Sequence, residues 1–167
     1  MNNRMTYLLD IVENCRDVIQ QEIYHPEGDV LNHLLQTFKW ACRESNDYDL
    51  RLAALLHDVG KQVTKLRHDH ESVKLIDGFV SKKTLWLVDQ HMRIWTFLTG
   101  EMKKLKKTQT FFNHIWFKDL IFLARWDSIS RNKNIKLEFD REEIMKMLRT
   151  VTKQPWDVRN TTNFVVK

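Results

Sequence analysis

Turn-forming residues are too scarce in this sequence for a sheet-rich fold. Four glycines and two prolines serve 167 residues, whereas sandwiches and barrels need frequent turn signals between strands. No segment of several residues alternates polar and apolar with a period of two. Apolar residues recur instead at spacings of three and four, which place them on one face of a helix. The chain therefore reads as all-α, a single-domain bundle of about six to seven helices over 1–152 with a C-terminal tail at 153–167.

The pattern predicts a first helix over 6–23, carrying Leu8, Ile11, Val12, Cys15, Val18 and Ile19. His25-Pro26-Glu27-Gly28-Asp29 breaks it, and Asp29 is placed to cap a second helix. Asp47 or Asp49 caps a third, over 50–58, whose Leu52-Ala53-Ala54-Leu55-Leu56 is apolar almost all round. Such a helix belongs at the centre of a domain. Gly60 is placed to close it in the left-handed conformation. A fourth helix is expected over 70–80, and a fifth after Ser81. The long apolar segment 111–129 reads as the sixth. Asp140 with Glu143 opens the seventh, ending near 151. The tail, with Pro155, reads as extended or frayed.

Hydrophobic residues make up 43% and charged residues 29% of the chain, the balance of a globular protein. Lys and Arg exceed Asp and Glu by 27 to 22, for a net charge of +5. That mild excess suits phosphate or nucleic-acid partners without requiring them. The densest basic run is Lys103-Lys104-Leu105-Lys106-Lys107, either a solvated segment or a contact to a polyanion. Cys15 and Cys42 lie in apolar-periodic segments and read as buried free thiols of a reducing compartment. No apolar run approaches the roughly 18 residues of a membrane span, and the polar start leads into no signal-peptide core. A cytoplasmic location without membrane contact is expected.

The strongest anomaly is His57-Asp58 at the end of the apolar third helix. A carboxylate there is costly unless compensated. Asp58 could cap or pair while His57 donates to a carbonyl, or both could reach a metal beyond the helix end. The surroundings favour the second reading. His33, His70 and His91 fall in or at the start of other helices. Asp127 follows Leu120-Ile121-Phe122-Leu123-Ala124 in the most apolar segment. Ligands carried inward on separate helices are how bundles build metal sites. His68 is the alternative to His70. His25 reads as a loop residue and His114 as a surface or interface one. Trp95 and Trp126 read as core, close enough in sequence to ligands to line a pocket.

The ordered elements His33, then Leu55-Leu56-His57-Asp58-Val59-Gly60-Lys61, His70-Glu71, His91-Met92 and Leu123-Ala124-Arg125-Trp126-Asp127 resemble an HD-domain phosphohydrolase. They are most similar to the HD domain joined to many bacterial tRNA nucleotidyltransferases, and the likeness covers roughly 29–130. Two features depart from it. The paired catalytic carboxylates of the nucleotidyltransferase part do not precede the His-Asp element, and Trp126 stands where alanine is common.

The resemblance implies one divalent metal on His33, His57, Asp58 and Asp127. It implies a second on His70 and His91 with Asp58 bridging; the rival is phosphate binding by those two histidines around a single ion. Nitrogen and oxygen donors suit Fe, Mn, Co, Ni or Zn, with Mg admissible at an oxygen-rich site. Asp58 and Lys61 are the catalytic candidates, Lys61 steadying phosphate charge. The implied activity is hydrolysis of a nucleotide or RNA-end phosphoester, as a 2′,3′-cyclic phosphodiesterase, nucleotidase or phosphatase. The alternatives are a deoxynucleotide or signalling-nucleotide hydrolase, and a non-catalytic nucleic-acid or partner-binding module. Oligomeric state is not legible.

Overall fold

A computed structural model describes residues 3–152. The tail expected from 153 onward lies outside the described residues. Within them the chain is all-helical, as its patterning predicts, and no strand forms. The described residues form nine α-helices rather than six or seven: α1 Asn3–Glu13, α2 Val30–Glu44, α3 Tyr48–Leu56, α4 His68–Ile76, α5 Lys82–Gln90, α6 Arg93–Leu98, α7 Leu105–Phe112, α8 Phe117–Ile129 and α9 Arg141–Arg149. A 3-10 turn at Val59–Gln62 follows α3.

Helix starts follow side-chain chemistry closely. Asp29 accepts from the Asn32 amide at 2.8 Å and Asp47 from that of Leu50 at 3.0 Å. Ser81 accepts from Thr84 at 3.1 Å, and Asp140 from Glu142 and Glu143. Each satisfies amides that have no partner in the first helical turn. Asp49, the other candidate cap of α3, binds the Ser81 and Thr84 hydroxyls instead and ties α3 to α5.

Helix ends were less legible. The helix expected over 6–23 stops at Glu13, and Ile19 and Ile23 are exposed. Asp17 adopts a left-handed φ of 61°, its amide donating to the capping Asp29. The segment expected as one helix over 111–129 is split at Asn113–Trp116. His114 there stacks on Trp86 with ring centres 3.8 Å apart, and Ile115 faces out. No glycine or proline marks either break.

Helix α3 is the centre, with every residue from Leu50 to Leu56 buried. It contacts α2, α5, α8 and α9. Burying each of Leu50, Leu52, Leu55 and Leu56 contributes roughly 1.5–3 kcal/mol, enough together to offset the several kcal/mol that a buried carboxylate at the helix end costs. The buried Arg51 donates to the carbonyls of Ser45, Met147 and Thr150, clamping α9 onto the centre. On α2, Asn32 and Gln36 play the same part for 130–140. Asn32 donates to Ile135 O at 2.8 Å and accepts from Leu137 N, and Gln36 pairs with Asn132.

Gly60 does not close α3 in a left-handed conformation as expected. Its role is close approach. A Cβ there would lie 2.1 Å from His68 O and 2.4 Å from Ser72 N. The buried Ser72 hydroxyl accepts from Gly60 N and donates to His57 O, both at 2.8 Å, fastening α4 against the His-Asp turn. Because the clash is with backbone, Gly60→Ala should destabilise the fold by about 3 kcal/mol. Chemical denaturation of the metal-free protein measures this, and a change within ordinary surface-mutation scatter would contradict the account.

Candidate metal centre

Beyond the end of α3, four imidazoles surround the Asp58 carboxylate, whose side chain is 4% exposed. Asp58 Oδ1 lies 3.0 Å from His68 Nε2 and 3.3 Å from His91 Nε2. Oδ2 lies 3.5 Å from His57 Nε2 and 3.8 Å from His33 Nε2. Asp127 Oδ1 reaches His33 Nε2 at 3.1 Å. The single carboxylate thus stands between two groups, His33-His57-Asp58 and Asp58-His68-His91, each compact enough to hold a cation.

The other ring nitrogens are fixed. Nδ1 of His57 donates to Ala54 O, of His68 to Lys65 O, and of His91 to Val88 O. Each carbonyl lies three residues earlier: Ala54 and Val88 in the last turns of α3 and α5, where carbonyls lack helical partners, and Lys65 in the loop before α4. His33 lies inside α2 and uses outside acceptors, Ser130 O at 2.9 Å and Glu27 Oε1 at 2.7 Å. With Nδ1 held as a donor, every Nε2 faces the centre, the nitrogen that an ion displacing any proton there would take.

The donor set fits a divalent ion. Nε2 of His57 is buried without a hydrogen-bond partner, an arrangement that costs stability unless something binds there, and that of His33 meets only the Asp127 and Asp58 carboxylates. Cys15 Sγ sits beneath the centre, 3.9 Å from Val59 O. Burial, reinforced by the Asp58 charge, pushes its thiol up to about 12, so it stays protonated. The available donors are then nitrogen and oxygen alone, a set shared by the borderline transition metals.

Without an ion, the charges compensate one another. Burial opposes ionisation of Asp58, yet His57, Lys61, His68 and His91 hold its carboxyl well below the ordinary range. Asp127 is likewise lowered, against the cost of burial, by His33. Burial lowers His57 to about 4. Burial also works against His33, but Asp127 and Glu27 prevail and raise it to about 9.

Of the residues singled out from sequence, His33, His57, Asp58, His91 and Asp127 come together. His70 does not. Its half-exposed ring accepts from Arg67 on the outer face of α4, and His68 stands beside Asp58 in its place. The reason is register. Arg67, at a left-handed φ of 53°, starts α4 at His68 rather than His70, and two residues turn a helix by about 200°. Lys61 Nζ lies 2.6 Å from Asp58 Oδ2 and 2.7 Å from Gln20 Oε1. Trp126 is fully buried and points away from the centre, donating to Glu44 at 2.7 Å. Sequence reasoning missed Glu27 altogether and set His25 aside as a plain loop residue. The Pro26-Gly28 turn signal masked both.

Residues 30–110 match the family model described as HD domain. The match covers just under half of the chain, and over that span the chain is similar to the HD superfamily of metal-dependent phosphohydrolases. Curated relatives named "Multifunctional CCA protein" share the region. The one from Alkalilimnicola ehrlichii is 34% identical over 70 residues, 38% of this chain and 17% of the relative. The one from Janthinobacterium sp. strain Marseille is 44% identical over 73 residues, 40% of this chain and 17% of the relative. The likeness therefore spans about a sixth of those relatives' length.

The centre opens into a cavity of about 600 Å³. Lys61, Lys65 and Arg131 supply positive charge to its wall, and Tyr24 and Trp95 supply aromatic faces. Among the described residues no helix is long and apolar enough to cross a membrane.

Imidazoles shifted in opposite directions, His33 and His91 up and His57 down, give the metal-free protein a pH optimum of stability. His33 is raised from 6.5 to about 9, so its contribution is complete below pH 6.5 and is lost as pH rises through 9. His57 is lowered from 6.5 to about 4, so its contribution is complete above pH 6.5 and is lost as pH falls toward 4. Urea midpoints of chelator-treated protein should peak near pH 6.5 and decline on both sides. A profile rising or falling steadily across that range would contradict the two opposed shifts.

Proposed function

We propose that the chain hydrolyses a phosphoester of a nucleotide or RNA end, of the 2′,3′-cyclic phosphodiesterase, nucleotidase or phosphatase type, with metal-activated water as nucleophile. The observation that carries the reading is the Asp58 carboxylate standing between two histidine groups, each with its Nε2 atoms turned inward. His33, His57, Asp58 and Asp127 would hold one ion. His68 and His91, with His68 replacing the His70 expected from sequence, would hold a second beside Asp58. A divalent ion there would ionise a water near neutral pH and polarise a phosphoryl oxygen.

The remaining roles fall to the cavity wall. Lys61 neutralises Asp58 and, with Lys65 and Arg131, draws a phosphate toward the centre. Tyr24 and Trp95 offer stacking faces to a base. An RNA end is favoured over a free nucleotide by a second groove across α6. While Met92 and Trp95 face the cavity, Arg93 lines a groove with Lys106, Lys107 and the stacked Trp86-His114 pair. Positive charge beside aromatic rings suits a single strand. The relatives' printed name, with its reference to CCA, agrees with an RNA context.

Phosphate release from a panel of nucleotides and oligoribonucleotides, with elemental analysis of the same samples, tests this. His57→Ala and Asp58→Ala should each lose both activity and metal. His68→Ala and His91→Ala should lower the metal content from close to two equivalents toward one, while His70→Ala leaves it unchanged. A His91→Ala variant with unchanged stoichiometry and a raised KM would replace the second ion by a phosphate-binding role. Metal retained in His68→Ala and lost in His70→Ala would reverse the assignment of α4.

Replacing Lys106 and Lys107 by Gln should raise KM for an oligoribonucleotide ending in a cyclic phosphate and leave that for the cyclic mononucleotide unchanged. The salt dependence of oligonucleotide binding should flatten by about one unit of slope per lost phosphate contact. Equal effects on both substrates would remove the strand-binding role.

A further inference from the structure

We infer that Glu27 is a positioning residue of the metal centre, holding the Nδ1–H of His33 so that Nε2 stays aimed at Asp58 and Asp127. The inference rests on the metal-site reading proposed above. Glu27 lies in the loop between α1 and α2, outside residues 30–110, and its side chain is 0% exposed. A buried carboxylate in a loop is costly and needs partners. Its Oε1 lies 2.7 Å from His33 Nδ1 and 2.9 Å from His25 Nδ1. Oε2 has no hydrogen-bond partner. The backbone beneath is pinned as well, since Glu27 O accepts from Asn32 Nδ2 at 3.0 Å and from Lys136 Nζ.

His33 needs such a partner because of its place in the fold. His57, His68 and His91 sit at helix ends and use free backbone carbonyls. Inside α2 the carbonyls serve the helix, so His33 must look outside it. Ser130 O offers a neutral acceptor and Glu27 an anionic one. An anionic acceptor at Nδ1 fixes the ring and raises the donor strength of Nε2, so of the four imidazoles His33 is the strongest ligand.

The trio His25, Glu27 and His33 is compact enough to hold a cation itself. The chemistry favours hydrogen bonds. An ion at His33 Nδ1 together with one at Nε2 would strip the ring of its last proton. The separations of 2.7 and 2.9 Å are those of hydrogen bonds with a proton between. The second donor to Glu27, His25, lines the substrate cavity. The chain His25-Glu27-His33 therefore joins the cavity wall to a metal ligand.

Cobalt(II) titration of the purified protein, followed by visible absorption, tests the role. Glu27→Gln keeps the shape and an acceptor oxygen but removes the charge. It should weaken cobalt binding by about 10–100-fold and shift the visible bands, while the melting temperature of the metal-free form does not fall. Wild-type affinity and spectrum in that variant would overturn the inference. So would a lowered melting temperature with an unchanged spectrum, which marks a purely structural residue. Should Glu27→Gln fail to fold, His25→Ala loosens the same carboxylate from the cavity side. It should shift the bands less and weaken binding several-fold, and no change in either would again overturn the inference. If the wild type binds no cobalt, the metal-site reading fails; if it binds and Glu27→Gln matches it, only the role of Glu27 fails.

Discussion

One buried carboxylate organises this molecule. Asp58 emerges from the buried central helix α3 with its side chain almost wholly covered, and its charge must be compensated there. The compensation comes from every side: His33 from α2, His57 from its own helix end, His68 from α4, His91 from the end of α5, and Lys61 from the 3-10 turn. The approach of α4 depends on Gly60 having no side chain, and the Ser72 hydroxyl then locks it. The packing of the centre and the assembly of the site are thus one problem, solved by the same helix contacts.

Imidazole orientation follows from helix termini. The last turn of a helix leaves carbonyls without partners, and His57 and His91 put Nδ1 on one of them, while His68 uses Lys65 O of the loop before α4. The same bond satisfies the helix end, fixes the tautomer and turns Nε2 inward. These contacts are local, so they survive as the helices assemble.

The sequence made the incongruous residues legible. His33, His57, Asp58, His91 and Asp127 are polar groups in apolar surroundings, and the HD resemblance supplied their order. The caps at Asp29, Ser81 and Asp140 were legible for an equally local reason: a short oxygen-bearing side chain before an apolar-periodic run. The failures were failures of register and of loops. Choosing His70 over His68 required knowing where α4 begins, which depends on the left-handed Arg67, a conformation that an arginine does not advertise. The ends of α1 and α7 carry no breaker residue. Glu27 looked like part of a Pro-Gly turn, because its partner His33 is six residues on and its burial is tertiary.

That division bears on how such a chain acquires its chemistry. Residues 30–110 contain Asp58 and all four histidines that face it. The groups that complete the site lie on either side of that span. Gln20, Tyr24, His25 and Glu27 come from the loop before it, and Asp127 and Arg131 from α8 and the turn after it. The loop is held by the capping Asp29 and by Lys136, and the later segment by Asn32 and Gln36 of α2. The α2 helix therefore presents His33 to the centre while its adjoining polar positions anchor the cavity wall. Changes at Tyr24 or Arg131 can reshape the cavity wall while Glu27 and Ser130 keep their hold on His33, so that a shared core can serve different phosphoesters.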